Sequence, residues 1–398
     1  MHTSSRPVAF WSVAVLLVLV LAASGVPSPL YRVYAAEFGF GTGTLTLVFA
    51  VYAFALLAAL LTVGALSDHV GRRPVLAVAL LVEAAAMGLF AAADGVAWLV
   101  VARVVQGVAT GAMTGAFGAA LLDLQHPERP LGPLINSASP GLGLSVGALG
   151  ASIAVQVLTS PGAWVFGVLT AVFVLAAVAV WVALPESSPR VPGAWASLRP
   201  SVHVPRTSRR AFLVVLPCLA ATWALGGLYA SLGPSLVAGV YGVENHVAGG
   251  LLILALNGTG IVGSLTTRGL TPSTGMVTGA LVFVAGVAGT ITALATGSLA
   301  AFFVAAVVSG FGFGAAFLGA MATATRGVDP RQRAGLLSAV FTVSYLAFSL
   351  PAIGAGLAIG PWGLTTVAEV YGAVVVVLAL TAVAGLVRDR RPARVTAG

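Results

Sequence analysis

The chain has 398 residues, of which 59% are hydrophobic and only 8% charged, with a mean hydropathy of +1.04. No soluble core of this length needs so much apolar sequence, which excludes a water-soluble enzyme or binding domain and leaves a multispanning membrane protein. The net charge of +8 rests on 19 arginines and no lysine, spread over separate short segments, and this argues against a nucleic-acid partner.

Twelve apolar runs are predicted as membrane helices, near residues 9–30, 44–66, 74–93, 97–123, 131–157, 162–184, 211–237, 246–268, 272–295, 298–325, 332–358 and 362–387. Each is long enough to cross about 30 Å of hydrocarbon as a helix of about 20 residues. The first run resembles a signal peptide, with Arg6 before it and Ala22-Ala23-Ser24 near its end. It is expected to be retained, because the following residues belong to the same span and its exit. There Pro27 and Pro29, within Gly25-Val26-Pro27-Ser28-Pro29-Leu30-Tyr31, are expected to bend the helix as it leaves the membrane.

Between the second and third runs lies Gly64-Ala65-Leu66-Ser67-Asp68-His69-Val70-Gly71-Arg72-Arg73-Pro74, a short charged cluster wedged between two long apolar runs. Gly64 and Gly71 permit a tight turn, Asp68 is placed to meet a helix N-terminus or an arginine, and Arg72 and Arg73 supply positive charge. Asp123, at the end of the fourth run, is expected to join Asp68 and Arg72 in an ion-pair network. Two charges fall inside early spans, Glu83 midway through the third and Arg103 in the fourth, followed by Gln106 and Gly107. A charge within a span costs about 2.5–3.5 kcal/mol on insertion scales and persists where it meets a cavity or a partner. The fifth run carries Pro140, Gly141, Gly143 and Gly147, a pattern that exposes backbone and lets helices approach closely. In the second half, Cys218 stands alone in the seventh run and forms no intramolecular disulfide. Glu244 and His246 flank the eighth run as interfacial residues, and Glu369 lies in the outer part of the twelfth.

The arginines give the orientation independently. With the N-terminus inside, Arg6, Arg72, Arg73, Arg129, Arg190, Arg199, Arg206, Arg209, Arg210, Arg268, Arg326, Arg331, Arg333, Arg388, Arg390, Arg391 and Arg394 all fall on the cytoplasmic side. Arg32 lies outside and Arg103 within a span. The expected location is the cell membrane, with both termini cytoplasmic. The absence of lysine fits a GC-rich bacterial genome and hence an inner membrane.

The chain also repeats itself. Trp98 to Gly107 aligns with Ala301 to Gly310 at an offset of 203 residues, and Gly111, Pro127 and Gly132 then meet Gly314, Pro330 and Gly335. Two six-helix halves follow, 1–184 and 211–398, joined by a Pro- and Arg-rich linker at 185–210. The repeat is unequal: Arg103 aligns with Ala306, and the charged loop with Gly263-Ser-Leu-Thr-Thr-Arg268.

The charged loop resembles the G-x-L-[SA]-D-x-x-G-R-[RK] signature of the major facilitator superfamily, matching at Gly64, Leu66, Ser67, Asp68, Gly71, Arg72 and Arg73. Arg103, Gln106 and Gly107 resemble that family's R-x-x-Q-G motif in the fourth helix and are expected among its coupling and cavity residues. Pro27 and Pro29 resemble the P-x-P exit of many drug-efflux members, and Pro140 to Gly147 partly resemble the fifth-helix motif of drug:proton antiporters, without its Gly-Pro and Gly-Gly dipeptides. The resemblance implies an all-α fold of 12 transmembrane helices in two pseudo-symmetric bundles. It also implies a midplane cavity lined by the first, fourth, seventh and tenth helices, and alternating access. By the same resemblance Arg103 would serve proton coupling or substrate binding, and the Asp68–Arg72–Asp123 network would dock near Arg331-Gln-Arg-Ala-Gly335 to stabilise an outward-open state. The third and twelfth helices are peripheral in that fold, which favours a structural or neutral role for Glu83 and Glu369 over protonation in coupling.

Nothing in the sequence points to catalysis. Five histidines are scattered without metal-ligand spacing, and no phosphate-binding loop follows a strand. The protein is therefore expected to be no enzyme, to need no cofactor or metal, and to draw on a proton gradient. Polar and aromatic residues on the inner spans, Gln106, Asn136, Trp223, Tyr229, Asn257 and Tyr345 with Phe311, Phe313 and Phe317, suit a hydrophobic or amphipathic solute. The expected function is secondary active transport, as proton-coupled efflux of a small organic compound by a monomer in the lipid bilayer. Proton-linked uptake or facilitated transport of a metabolite or sugar is the alternative. A membrane sensor or channel is a third reading, disfavoured by loops too short for an output domain.

Overall fold

The computed structural model describes residues 5–128 and 130–389; Arg129, Arg390, Arg391 and Arg394, assigned above to the cytoplasmic side, lie outside the described residues. Among these residues the chain is helical without strands, and twelve helices are long and apolar enough to cross a membrane.

The first span is broken into α1 (Ser5–Gly25) and α2 (Pro27–Phe38) at Val26. The prolines do bend the chain here, but they open a second helical segment where an exit from the membrane was expected. Pro27 takes the first position of α2, where a helix leaves its N–H unpaired in any case. The next spans are α3 (Thr42–Val63), α5 (Arg72–Ala91), α6 (Val96–Leu124), α7 (Gly132–Val157) and α8 (Pro161–Ala183), with α4 (Leu66–Val70) forming one turn between α3 and α5. A short helix α9 (Ala194–Ser197) lies in the linker. The remaining spans are α10 (Arg209–Tyr241), α11 (His246–Thr267), α12 (Pro272–Thr296), α13 (Leu299–Thr325), α14 (Pro330–Trp362) and α15 (Leu364–Asp389).

The chain divides into two compact units. The first comprises Met1–Ser201 with Tyr229–Leu254 and Ala352–Pro361; the second comprises Val202–Leu228, Ala255–Pro351 and Trp362–Gly398. Within the first unit, α1 packs on α7, α3 on α6, and α5 on both α6 and α8. The ends of α10, α11 and α14 that belong to this unit are fastened to it. Ser28 donates to the Ala230 carbonyl, the His246 N–H donates to Gln156 Oε1 at 3.1 Å, and the Gly356 backbone lies against Thr46. Within the second unit, α12 packs on α13 and α15.

Lipid provides no hydrophobic drive between helices, so association depends on close contact, and small residues permit it. Gly147 shows the constraint: an added Cβ would collide with the carbonyl of Ala22 on α1. Gly143, one turn earlier, faces Leu21 in the same way, so the fifth-span glycines form the α1–α7 seam. Pro140 sits inside α7 and leaves the Asn136 carbonyl without its helical donor; Gly141 supplies its own carbonyl to Ser145 Oγ at 2.7 Å.

The repeat persists at the level of these contacts. A Cβ on Gly107 would strike the Tyr52 carbonyl on α3, and one on Gly310 would strike the Leu256 carbonyl on α11. Gly111 lies likewise against the Leu56 carbonyl and Gly314 against that of Gly260. Gly107 is thus seated against a helix backbone, where the sequence reading grouped it with cavity residues.

Gly147→Ala is expected to destabilise the protein by about 1–3 kcal/mol through overpacking, measured as a lower thermal midpoint in detergent. Gly150→Ala, where an added Cβ meets nothing within 4 Å, is expected to leave the midpoint unchanged or slightly raised.

Candidate functional site

Two polar clusters and one aromatic cluster contain most of the residues singled out from the sequence. The first lies at the end of the membrane spans. α4 ends at Gly71, whose φ of +118° is a backbone state that L side chains rarely adopt, and a Cβ there would also meet the Glu186 carboxylate. From the first turn of α5, the Arg72 guanidinium donates to Asp68 Oδ1, to Ser67 Oγ at 2.7 Å and to Asp123 Oδ2 at 3.3 Å. Its side chain is 8% exposed, against 49% for Asp68 and 32% for Asp123, so the arginine is the buried centre of the network.

The segment following α8 is bound to this network. Glu186 Oε1 accepts the Arg72 backbone N–H at 2.8 Å, placing a carboxylate at the N-terminus of α5, which has no side-chain cap of its own. Ser187 Oγ donates to Asp123 Oδ2 at 3.0 Å, while Ser188 Oγ at 3.0 Å and the Val191 N–H at 3.2 Å both donate to the Asp68 carbonyl. His69 Nδ1 lies 2.9 Å from the Val191 carbonyl, and Arg73 stacks over Trp181 with 5.2 Å to the ring centroid. The sequence reading named Asp68, Arg72 and Asp123 but treated 185–210 only as a linker. The acid next to Pro185, just beyond a helix end, was the available signal.

The second cluster is enclosed within the first unit. Arg103 is 1% exposed, and Glu83, Gln106, Thr110 and Tyr31 are fully buried around it. Arg103 Nε donates to Tyr31 Oη, and Nη1 donates to Gln106 Oε1 at 2.7 Å and to the Ser24 carbonyl at 3.4 Å. The guanidinium carbon lies 5.2, 5.0 and 5.8 Å from the ring centroids of Tyr31, Tyr52 and Phe90. Ring faces and hydrogen-bond acceptors together replace the water that a cation loses on entering the bilayer.

Gln106 joins this cation to an acid. Its Oε1 accepts from Arg103, and its Nε2 donates to Glu83 Oε1 at 3.2 Å and to the Ala23 carbonyl at 3.1 Å. These partners fix the amide orientation, since a guanidinium only donates and a carbonyl only accepts. Arg103 and Glu83 make no direct ion pair, so the amide stands between the two charges. Thr110 Oγ donates to the Gln106 carbonyl at 2.9 Å and lies 3.5 Å from Glu83 Oε2. Glu83 therefore has an amide donor and a hydroxyl within reach of its carboxyl.

The peripheral position of the third span does not keep Glu83 out of this network, because its side chain points inward to α6. Tyr31, Tyr52, Ser24, Thr110 and Phe90 were not singled out from the sequence. Thr110 could have been, since Arg103, Gln106 and Thr110 share one helix face at i, i+3 and i+7. At the 203-residue offset, Glu83 and Gln106 correspond to Gly286 and Ser309, which also touch: a Cβ on Gly286 would meet the Ser309 backbone and hydroxyl. The second half keeps this helix contact and lacks its charges.

The third cluster lies in the second unit. Trp223 of α10 meets Tyr345 and Phe348 of α14 edge-on, with centroids 4.9 and 5.9 Å apart, and Phe317 of α13 at 5.9 Å. Phe313 stacks on Phe317 at 6.4 Å. The Trp223 indole nitrogen is buried without a hydrogen-bond acceptor among the described residues. Trp223 and Tyr345 are thus brought together, with Phe348 added. The other candidates stand apart: Tyr229 is buried in the first unit, Asn136 is exposed beside Gly118, Asn257 is half-buried in α11, and the backbone of Phe311 packs against Gly263. Glu369 is half-buried, and no hydrogen bond or ion pair engages it among the described residues.

Twelve spans, the repeat and these clusters define a membrane transporter of the facilitator type. The family model described as Major Facilitator Superfamily matches residues 13–352, and the chain belongs to that family. Its fold is similar to that of a bacterial homolog of the human lysosomal transporter Spinster, solved in inward-facing occupied and unoccupied conformations. The TM-scores are 0.75 and 0.76 at 14% and 15% identity, each covering 98% of this chain and 100% of the other. It is also similar to the human organic anion transporter MFSD10 (TETRAN), with a TM-score of 0.65 at 17% identity over 96% of this chain and 100% of that one. No curated protein sequence matches the chain.

Asp68→Asn is expected to shift the population inward and impair transport while leaving expression intact; unaltered transport kinetics would count against a conformational role for the loop. Glu186→Ala is expected to lower stability by about 1 kcal/mol through loss of the charge at the α5 N-terminus, read as a lower thermal midpoint that Ser187→Ala does not reproduce.

Proposed function

We propose that the protein is a proton-coupled secondary transporter of a small organic solute, in which Glu83 binds and releases the proton and Gln106 transmits its charge state to Arg103. One observation carries this reading: Gln106 hydrogen-bonds Arg103 and Glu83 at once inside a fully buried cluster. With Glu83 ionised the pair is neutral; with Glu83 protonated it holds a net positive charge. Such a charge is costly away from water, so each protonation event favours a different arrangement of the helices around it. Those helices are α1, α2, α3, α5 and α6, which supply every partner of the cluster.

A hydrophobic or amphipathic solute is favoured by the aromatic cluster at Trp223, which offers ring faces and one unused indole N–H in place of many polar anchors. Efflux by alternating access is the direction we assign, in the cell membrane with both termini cytoplasmic, as the arginine distribution indicates.

The test is proton flux in proteoliposomes of the purified protein, screened against cationic amphiphiles, antibiotics and sugars. Wild type is expected to move protons with one compound class. Glu83→Gln should keep solute exchange while proton movement falls by about tenfold or more, within the usual range of coupling free energies, and Arg103→Ala should lose both. Solute flux without proton movement in wild type would overturn the coupling and return Arg103 to a structural role.

A further inference from the structure

A cluster of three arginines in the second unit lies outside all of these clusters. Arg206, Arg209 and Arg210, at and just before the N-terminus of α10, line a cavity of about 520 Å³ with Leu213, Val214, Pro217 and, from α15, Thr381 and Gly385. Positions 210, 213, 214 and 217 follow helical spacing, so a guanidinium group and apolar side chains share one face of α10 and succeed each other along it, with Arg206 just before its start. Among the described residues no acidic side chain lines the cavity. All three arginines are exposed, and Arg206 and Arg209 have no acceptor among the described residues.

We infer that this cavity is a binding site for one anionic phospholipid. Arg206, Arg209 and Arg210 would hold the headgroup phosphate, and an acyl chain would lie against Leu213, Val214 and Pro217. Three features point to a lipid over a free anion. The site opens where a candidate membrane span begins, the end of a span that meets the headgroups. From Arg206 to Pro217 it descends about 16 Å along the helix, roughly half the hydrocarbon thickness, and a small ion would fill only its upper end. Leu213 is 60% exposed within the span and so presents apolar surface to lipid. The helix N-terminus adds its partial positive charge to the three guanidinium groups. A zwitterionic lipid would leave the charge of Arg206 and Arg209 uncompensated.

The test is lipid retention by the full chain, read by native mass spectrometry after equilibration with equal amounts of phosphatidylglycerol and phosphatidylcholine, with thermal midpoints measured in parallel. Wild type is expected to retain one phosphatidylglycerol and to be stabilised by it. Arginines near an anionic surface contribute about a factor of five each, so the triple variant R206Q/R209Q/R210Q should retain it at least tenfold less. Gly385→Leu leaves the arginines in place and fills the cavity beside Val214; it should lose the lipid too, which keeps the test decisive where the triple variant folds poorly. Equal retention of the lipid by wild type and Gly385→Leu would overturn the proposal. So would inorganic phosphate that stabilises wild type as much as phosphatidylglycerol does, because the site would then take a free anion.

Discussion

The burial of Arg103 is the constraint from which the rest of the first half follows. A cation within a span is stable only when surrounding groups do the work of water, at a cost of up to about 2.5–3.5 kcal/mol even by insertion scales. Here the replacement comes from several separate helices: Tyr31 of α2, the Ser24 carbonyl of α1, the Tyr52 ring of α3, the Phe90 ring of α5, and Gln106 of its own helix. The broken first span now has a physical reason. The turn at Val26 separates α1 from α2, so one span presents both the Ala23 and Ser24 carbonyls and the Tyr31 hydroxyl to the same centre. A cluster built from so many elements has few ways to change by small steps, and this suits it to switching.

Comparison of the halves separates scaffold from machinery. Glycine-to-carbonyl seams recur at equivalent places, Gly107 and Gly111 of α6 against α3 and Gly310 and Gly314 of α13 against α11, so close backbone approach is common to both. Charge is not. The Glu83–Gln106 contact becomes Gly286 against Ser309, and Arg103 becomes Ala306. The second half carries an aromatic cluster around Trp223 instead. Under the function proposed above, this would divide the labour, with proton handling in the first half and solute contact in the second.

The fold was legible because a bilayer imposes length and composition on each span, and eleven of the twelve runs fell within about five residues of the observed helices, while the first stopped short of α2, which runs on to Phe38. The charged loop was equally legible, since its residues are local: Asp68 and Arg72 stand one helical turn apart. What escaped were partners distant in sequence. Nothing local marks Tyr52 or Phe90 as neighbours of Arg103, and Glu186 reaches Arg72 across 114 positions. Glu83 was discounted because its helix is peripheral, yet a peripheral helix still has one face turned inward, and period 3.6 places Glu83 on it. Gly107 was misread in the opposite sense, since the sequence marks it as special without telling a cavity wall from a helix seam.

The most direct measurement of the central claim is infrared difference spectroscopy of the purified protein across a pH step. The carboxyl C=O stretch reports the protonation of a buried acid without requiring a known solute. The account predicts a protonated-carboxyl band that changes with pH, vanishes in Glu83→Gln, survives in Glu369→Gln and shifts in Gln106→Leu. A band unaltered by Glu83→Gln would contradict it and place the proton elsewhere.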